Sequence, residues 1–266
     1  MNITDEELLM IEHLTYLNES VAKAAGLKGI ELVENRSIYT LLSSFDSTAI
    51  ANLEAKGDEP LAAEVSGYEW AQIIKYLQNN TRLNKLVLTE TMETPKGVPL
   101  ALCFTDGTPD TREAIIAFKG TTGGDEWSDN VEGAILRDTP DQIEALEFVQ
   151  GLPYADITLT GHSKGGNKAN YITILCDKVT RCVGFDPQGF SQLFLNDPKY
   201  SKRIEERASL IKNYSLSTDF VHILLYELPG AKQIFCKGFG VDSTGQHHSP
   251  NSFFYTDYYG NLVLDG

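Results

Sequence analysis

The chain has 266 residues, enough to bury one sizeable core, and its 42% apolar and 22% charged side chains exclude a mini-protein and a wholly disordered segment. Its 22 basic and 37 acidic residues leave a formal charge of −15, whose long-range field opposes phosphate backbones and anionic bilayers, so no nucleic-acid partner is expected. Acidic residues follow Met1 where a secretory signal needs lysine or arginine, and no run approaches the roughly 18 apolar residues of a spanning helix. The expectation is a cytoplasmic protein without integral membrane association. Cys103, Cys176, Cys182 and Cys236 form no Cys-x-x-Cys pair and three lie in apolar runs, so they read as buried thiols of a reducing compartment.

Helical pattern comes first. Thr4 with Glu7 three positions on is a capping-box signature, followed by Leu8, Ile11, Leu14 and Leu17 at helical spacing. Ser66 with Glu69 repeats it before Trp70, Ile73, Ile74 and Leu77, with a loop at Gly57-Asp58-Glu59-Pro60 between. Residues 1–84 therefore read as a helical extension that covers a sheet, and 85–266 as the core of the same single domain. From Lys85 the pattern becomes strand-like: Leu86 to Thr89, Leu100 to Phe104 and Ala114 to Phe118 are short apolar runs divided by Pro, Gly and Asp. Helix (Gln142 to Val149), strand (Ile157 to Thr160), helix (Ala169 to Cys176), strand (Cys182 to Phe185), helix (Lys199 to Ala208) and strand (Leu210 to Tyr214) then alternate. Alternation predicts an α/β fold, with a mostly parallel central sheet and helices on both faces. Phe253 to Tyr255 and Leu262 to Leu264 read as a last hairpin.

Chemistry is concentrated in Ile157-Thr158-Leu159-Thr160-Gly161-His162-Ser163-Lys164-Gly165-Gly166. Gly161, Ser163 and Gly165 make Gly-x-Ser-x-Gly where a strand gives way to a helix, the setting of a nucleophile elbow. A serine at so sharp a bend is held in a strained backbone, and glycines two before and two after let strand and helix approach. The helix start behind it offers the Lys164 N–H and a favourable dipole to an oxyanion. A phosphate-binding loop is the competing reading, and it fails because Asn167 stands where that loop needs lysine.

A serine needs a base, and in this fold class the chain order is serine, acid, histidine. His222 lies in the apolar run Phe220 to Leu225 and reads as packed, whereas His247 and His248 sit in a polar loop after the strand-like Ile234-Phe235-Cys236. Neighbouring histidines rarely converge on one ion, so no metal is expected. Asp219, after a strand, is the preferred acid and Asp186, in Phe185-Asp186-Pro187, its rival. The glycines of Phe118-Lys119-Gly120-Thr121-Thr122-Gly123-Gly124 suit a second oxyanion donor, with Thr121 the candidate.

Phe118-Lys119-Gly120-Thr121 with Trp127, Thr160 to Ala169, Ser217-x-Asp219, His248-Ser249 and the N-terminal Asn2-Ile3-Thr4-Asp5 segment together resemble a bacterial family of predicted α/β-hydrolases related to the class 3, fungal-type lipases. The resemblance spans nearly the whole chain. It implies an α/β-hydrolase fold, a triad of Ser163, Asp219 and His248, and an oxyanion hole from Thr121 and the backbone of Lys164. Two departures stand out: Lys119 replaces the usual arginine, and Lys164 the apolar residue after the serine. Where lipases carry a hydrophobic lid, Thr122 to Asn130 holds one large apolar residue, Trp127, among three acids, which argues against docking on oil droplets.

The expected activity is a serine hydrolase of carboxylic esters, acting through an acyl-enzyme on a small-molecule ester or lipid-like substrate without a cofactor. An acyl thioesterase or acyltransferase on the same triad, and a non-catalytic hydrolase-like ligand-binding protein, are the alternatives. An anionic substrate group facing Lys164 is a further expectation.

Overall fold

Both capping boxes form. The Thr4 hydroxyl accepts the Glu7 N–H at 3.3 Å while the Glu7 carboxylate accepts the Thr4 N–H at 2.9 Å, opening α1 (Asp5–His13). Ser66 and Glu69 open α5 (Gly67–Asn79) likewise, after the shorter α2 (Glu19–Ala24), α3 (Ile38–Leu41) and α4 (Ser47–Glu54). The structure, a computed structural model, describes residues 1–120, 136–238, 248–256 and 262–264.

Eight strands lie side by side in chain order: β1 (Arg36–Ser37), β2 (Val87–Glu93), β3 (Pro99–Thr105), β4 (Glu113–Phe118), β5 (Asp156–His162), β6 (Val179–Phe185), β7 (Ile211–Leu216) and β8 (Lys232–Cys236). The ladders from β1 to β4 are antiparallel and the four from β4 to β8 parallel. The antiparallel start has a simple cause. Only residues 94–98 and 106–112 join β2, β3 and β4, too few for the crossover a parallel pair requires. From β4 to β7 helices intervene, namely α6 (Pro140–Gly151), α7 (Lys164–Leu175), α8 (Gln192–Leu195) and α9 (Pro198–Arg207).

Alternation along β4 divides the core in two. Ile115 and Ala117 join Leu8, Ile11, Trp70, Ile74, Phe104 and Phe185, so the N-terminal helices cover one face. Ala114, Ile116 and Phe118 join Val149, Ile157, Leu159, Ile172 and Ile204 on the other, under α6, α7 and α9. Each such aliphatic side chain contributes about 2 kcal/mol by leaving water. Mixed sheet, helices on both faces and a parallel run from β4 constitute the α/β-hydrolase fold. The C-terminal hairpin is present as β9 (Phe254–Thr256) paired with β10 (Leu262–Leu264). All four cysteines are buried. Among the described residues no helix is long and apolar enough to cross a membrane.

Candidate active site

Ser163 is the bend between β5 and α7. Its φ of 57° and ψ of −126° lie where side chains other than glycine rarely go, and such strain persists only when the surroundings enforce it. They do so here. The Ser163 N–H donates to Phe185 O at 2.9 Å and Ser163 O accepts the Asn167 N–H at 3.1 Å. A Cβ on Gly161 would stand 2.5 Å from Gly165 O, and one on Gly165 would overlap Phe118 O. Both glycines are therefore required by close approach, as the spacing predicts.

The expected acid and base meet. His248 Nδ1 lies 2.9 Å from Asp219 Oδ1, while Asp219 Oδ2 accepts the N–H groups of Val221 and His222, each at 3.0 Å. Burial works to raise the Asp219 pKa, but bonds from His222 and His248 outweigh it and hold the carboxyl well below the usual carboxylate range. The His248 ring stands 4.6 Å from that of His162, the residue before Ser163. Burial, then the neighbouring His248, keep the His162 pKa well below that of an ordinary imidazole.

Three contacts escape a reading by sequence. Tyr16, 2% exposed, brings its hydroxyl 2.9 Å from His162 Nδ1 and accepts the Gly120 N–H at 3.0 Å. It thereby ties the N-terminal segment to the end of β4 and to the elbow. His222, expected to be merely packed, places Nδ1 3.4 Å from Asp219 Oδ2. Asp186, the rival acid, is fully buried next to Asp219, and burial followed by the Asp219 charge pushes its pKa well up. No local pattern announces such pairings, because each joins residues distant in the chain.

Lys164 opens α7, and its ammonium pairs with Asp141 at 3.0 Å. Asp141 thus shares the charge that was expected to face an anionic substrate group. Thr121, His247 and the segment from Thr122 to Asn130 lie outside the described residues.

A family model for the Tle-like phospholipase domain, described as phospholipase-like, matches residues 62–245. No curated protein matches the chain. Among solved structures, a Rhizomucor miehei lipase propeptide complex is 12% identical over 64% of this chain and 66% of that one, with a TM-score of 0.35. The chain thus spans just under two thirds of that lipase. M37 lipase is 13% identical over 83% and 70% of the two chains, with a TM-score of 0.40. For a 2,6-dihydroxy-pseudo-oxynicotine hydrolase the values are 12%, 80%, 81% and 0.28.

Proposed function

This chain belongs to the family of Tle-like phospholipase domains, and on that footing we propose that it cleaves carboxylic esters with a triad of Ser163, Asp219 and His248. The observation that carries the reading is the 2.9 Å bond between Asp219 and His248 beside a serine held at φ 57° between strand and helix. His248 takes the Ser163 proton as Oγ attacks the ester carbonyl, and Asp219 orients the ring and balances its charge. The N–H groups of Thr121 and Lys164 receive the oxyanion, each such donor lowering the barrier by about 3 kcal/mol. The alcohol leaves with the proton from His248, and water repeats the sequence on the acyl-enzyme.

The substrate is a small-molecule ester or lipid-like molecule, with the acyl bond of a phospholipid included by family membership. No cofactor is required. Residues 1–266 act as one domain in this reading, supported by the apolar cluster shared between α1, α5 and the sheet. A cytoplasmic location is consistent with four buried thiols that form no disulfide.

The test is a panel of aryl esters from two to sixteen carbons, with fluorophosphonate labelling. Ser163→Ala abolishes labelling, and both Ser163→Ala and His248→Ala lower kcat by about 10⁴-fold or more. His247→Ala retains activity. A His247→Ala enzyme that is inactive beside an active His248→Ala would reassign the base.

A further inference from the structure

Asp186 takes no part in the chemistry above, yet its surroundings fix it closely. It follows β6 with φ of 43°, a left-handed conformation that a non-glycine residue adopts only when held there. Its N–H donates to Tyr214 O at 2.7 Å, and its Oδ1 accepts the Leu216 N–H at 2.8 Å. Both partners belong to β7, the strand that leads to Asp219. The second oxygen, Oδ2, has no hydrogen-bond partner among the described residues, although the residue is 0% exposed.

The groups around that carboxyl are those of the site. One ligand-type atom each from His162, Asp186 and His248 lie within 4.8 Å of one another, and so do those of Asp186, Asp219 and His222. Asp186 is common to both sets. The titratable groups facing it are therefore Asp219 and His222 from the turn after β7, His162 from the end of β5, and His248 from the late loop.

We propose that Asp186 is a second acid of this site, a positioning residue behind Asp219 that orients and balances His248 when Asp219 is lost. The inference rests on the triad reading. Two carboxyls this close in a buried site do not both ionise, since the second negative charge would have neither water nor a cation to balance it. With Asp219 ionised and bonded to His248, Asp186 keeps its proton. Removing the Asp219 carboxylate removes the repulsion. The Asp186 proton then passes to the His248 ring it faces, whose positive charge offsets the burial that still opposes ionisation. The end of β6 thus holds in reserve what the end of β7 supplies in the wild type.

The experiment compares Asp219→Ala with Asp219→Ala/Asp186→Asn, using aryl-ester kcat across pH 5–9. The double variant should fall by about the 10⁴-fold of a lost triad acid. The single variant should keep at least about tenfold more activity, rising with pH along an ionisation that the double variant lacks. Equal rates and superimposable pH profiles would overturn the proposal. Because Asp219 also caps Val221 and His222, the isosteric pair, Asp219→Asn with and without Asp186→Asn, provides the comparison if the alanine variants unfold. Carboxyl ¹³C NMR gives an answer that does not depend on turnover. One aspartate signal assigned by Asp186→Asn should be protonated at pH 7 in the wild type and ionised in Asp219→Asn, and an ionised signal in both would equally refute the idea. Wild type that neither hydrolyses esters nor reacts with fluorophosphonate would instead remove the triad reading, leaving the NMR result to stand alone.

Discussion

Tyr16 acts 146 residues before the histidine it touches, and its single hydroxyl serves both the elbow and the strand end that leads to Thr121. A Cβ on Gly120 would stand 2.5 Å from this hydroxyl and 2.6 Å from His162 O, so the three are in close register. Tyr16→Phe leaves the buried Gly120 N–H without its acceptor, at a cost of about 1–3 kcal/mol. It should lower the fluorophosphonate labelling rate and kcat roughly tenfold with little change in KM, and urea denaturation measures the stability loss separately. A wild-type labelling rate in Tyr16→Phe would mean that the hydroxyl plays no part in aligning the end of β4 with the elbow. At this scale legibility followed distance in the chain. Ser163 was readable because its constraint is local, two glycines and a strand-to-helix bend. Asp219 and His248 were readable from chain order and the resemblance. Tyr16 and the Asp186–Asp219 pairing were not, because side-chain contact through space leaves no spacing to count.

Among elements, α1 is joined to the sheet by the polar contacts of Asp5 as well as by apolar packing. Asp5 accepts from Lys212 Nζ at 2.6 Å, from Tyr214 Oη at 2.7 Å and from Arg181, which joins the helix start to β6 and β7. Burial raises the Asp5 pKa, but these three partners outweigh it and bring the carboxyl below its ordinary value. Asp5→Ala should destabilise the protein by about 2 kcal/mol, the range of a charge-assisted bond. Because α1 leads into Tyr16, activity should fall with it, and an unchanged urea midpoint would show α1 to be held by apolar packing alone. Element existence was well readable: both capping boxes and every strand from β2 to β8 fall where the pattern predicts. Strand direction was less so, since period-two alternation is the same in either sense and only the short links between β2, β3 and β4 decide it. Phe220 to Leu225 reads as a packed run, yet Ile223 is 68% exposed, because Asp219 caps a turn there and no strand forms.

For the molecule as a whole, four fully buried carboxyl and imidazole groups make stability depend on pH. Burial pushes Glu12 and Asp186 well above the ordinary carboxyl range, and it lowers His13 to about 4 and His162 well below its usual value. A carboxyl with a raised folded pKa stabilises at low pH and loses that contribution as pH climbs above about 4. An imidazole with a lowered folded pKa contributes fully above about 6.5 and loses its contribution as pH falls below. Between these limits the two pairs oppose each other; above about 6.5 the imidazoles no longer act, so stability should decline as pH rises toward the raised pKa values of the two acids. Each group accounts for at most about 1.4 kcal/mol per pH unit. Glu12→Gln should flatten that decline in urea midpoints, and an unaltered slope would exclude Glu12 as its source. The parallel run from β4 to β8 has a broader consequence. Gly120, Ser163, Asp186 and Asp219 sit just beyond the ends of β4, β5, β6 and β7, so every ingredient arrives at one rim on its own connection. Scaffold and chemistry are in that sense separately heritable: lengthening one connection alters what the rim accepts while strand register stays intact, which leaves room for diversification without a new architecture.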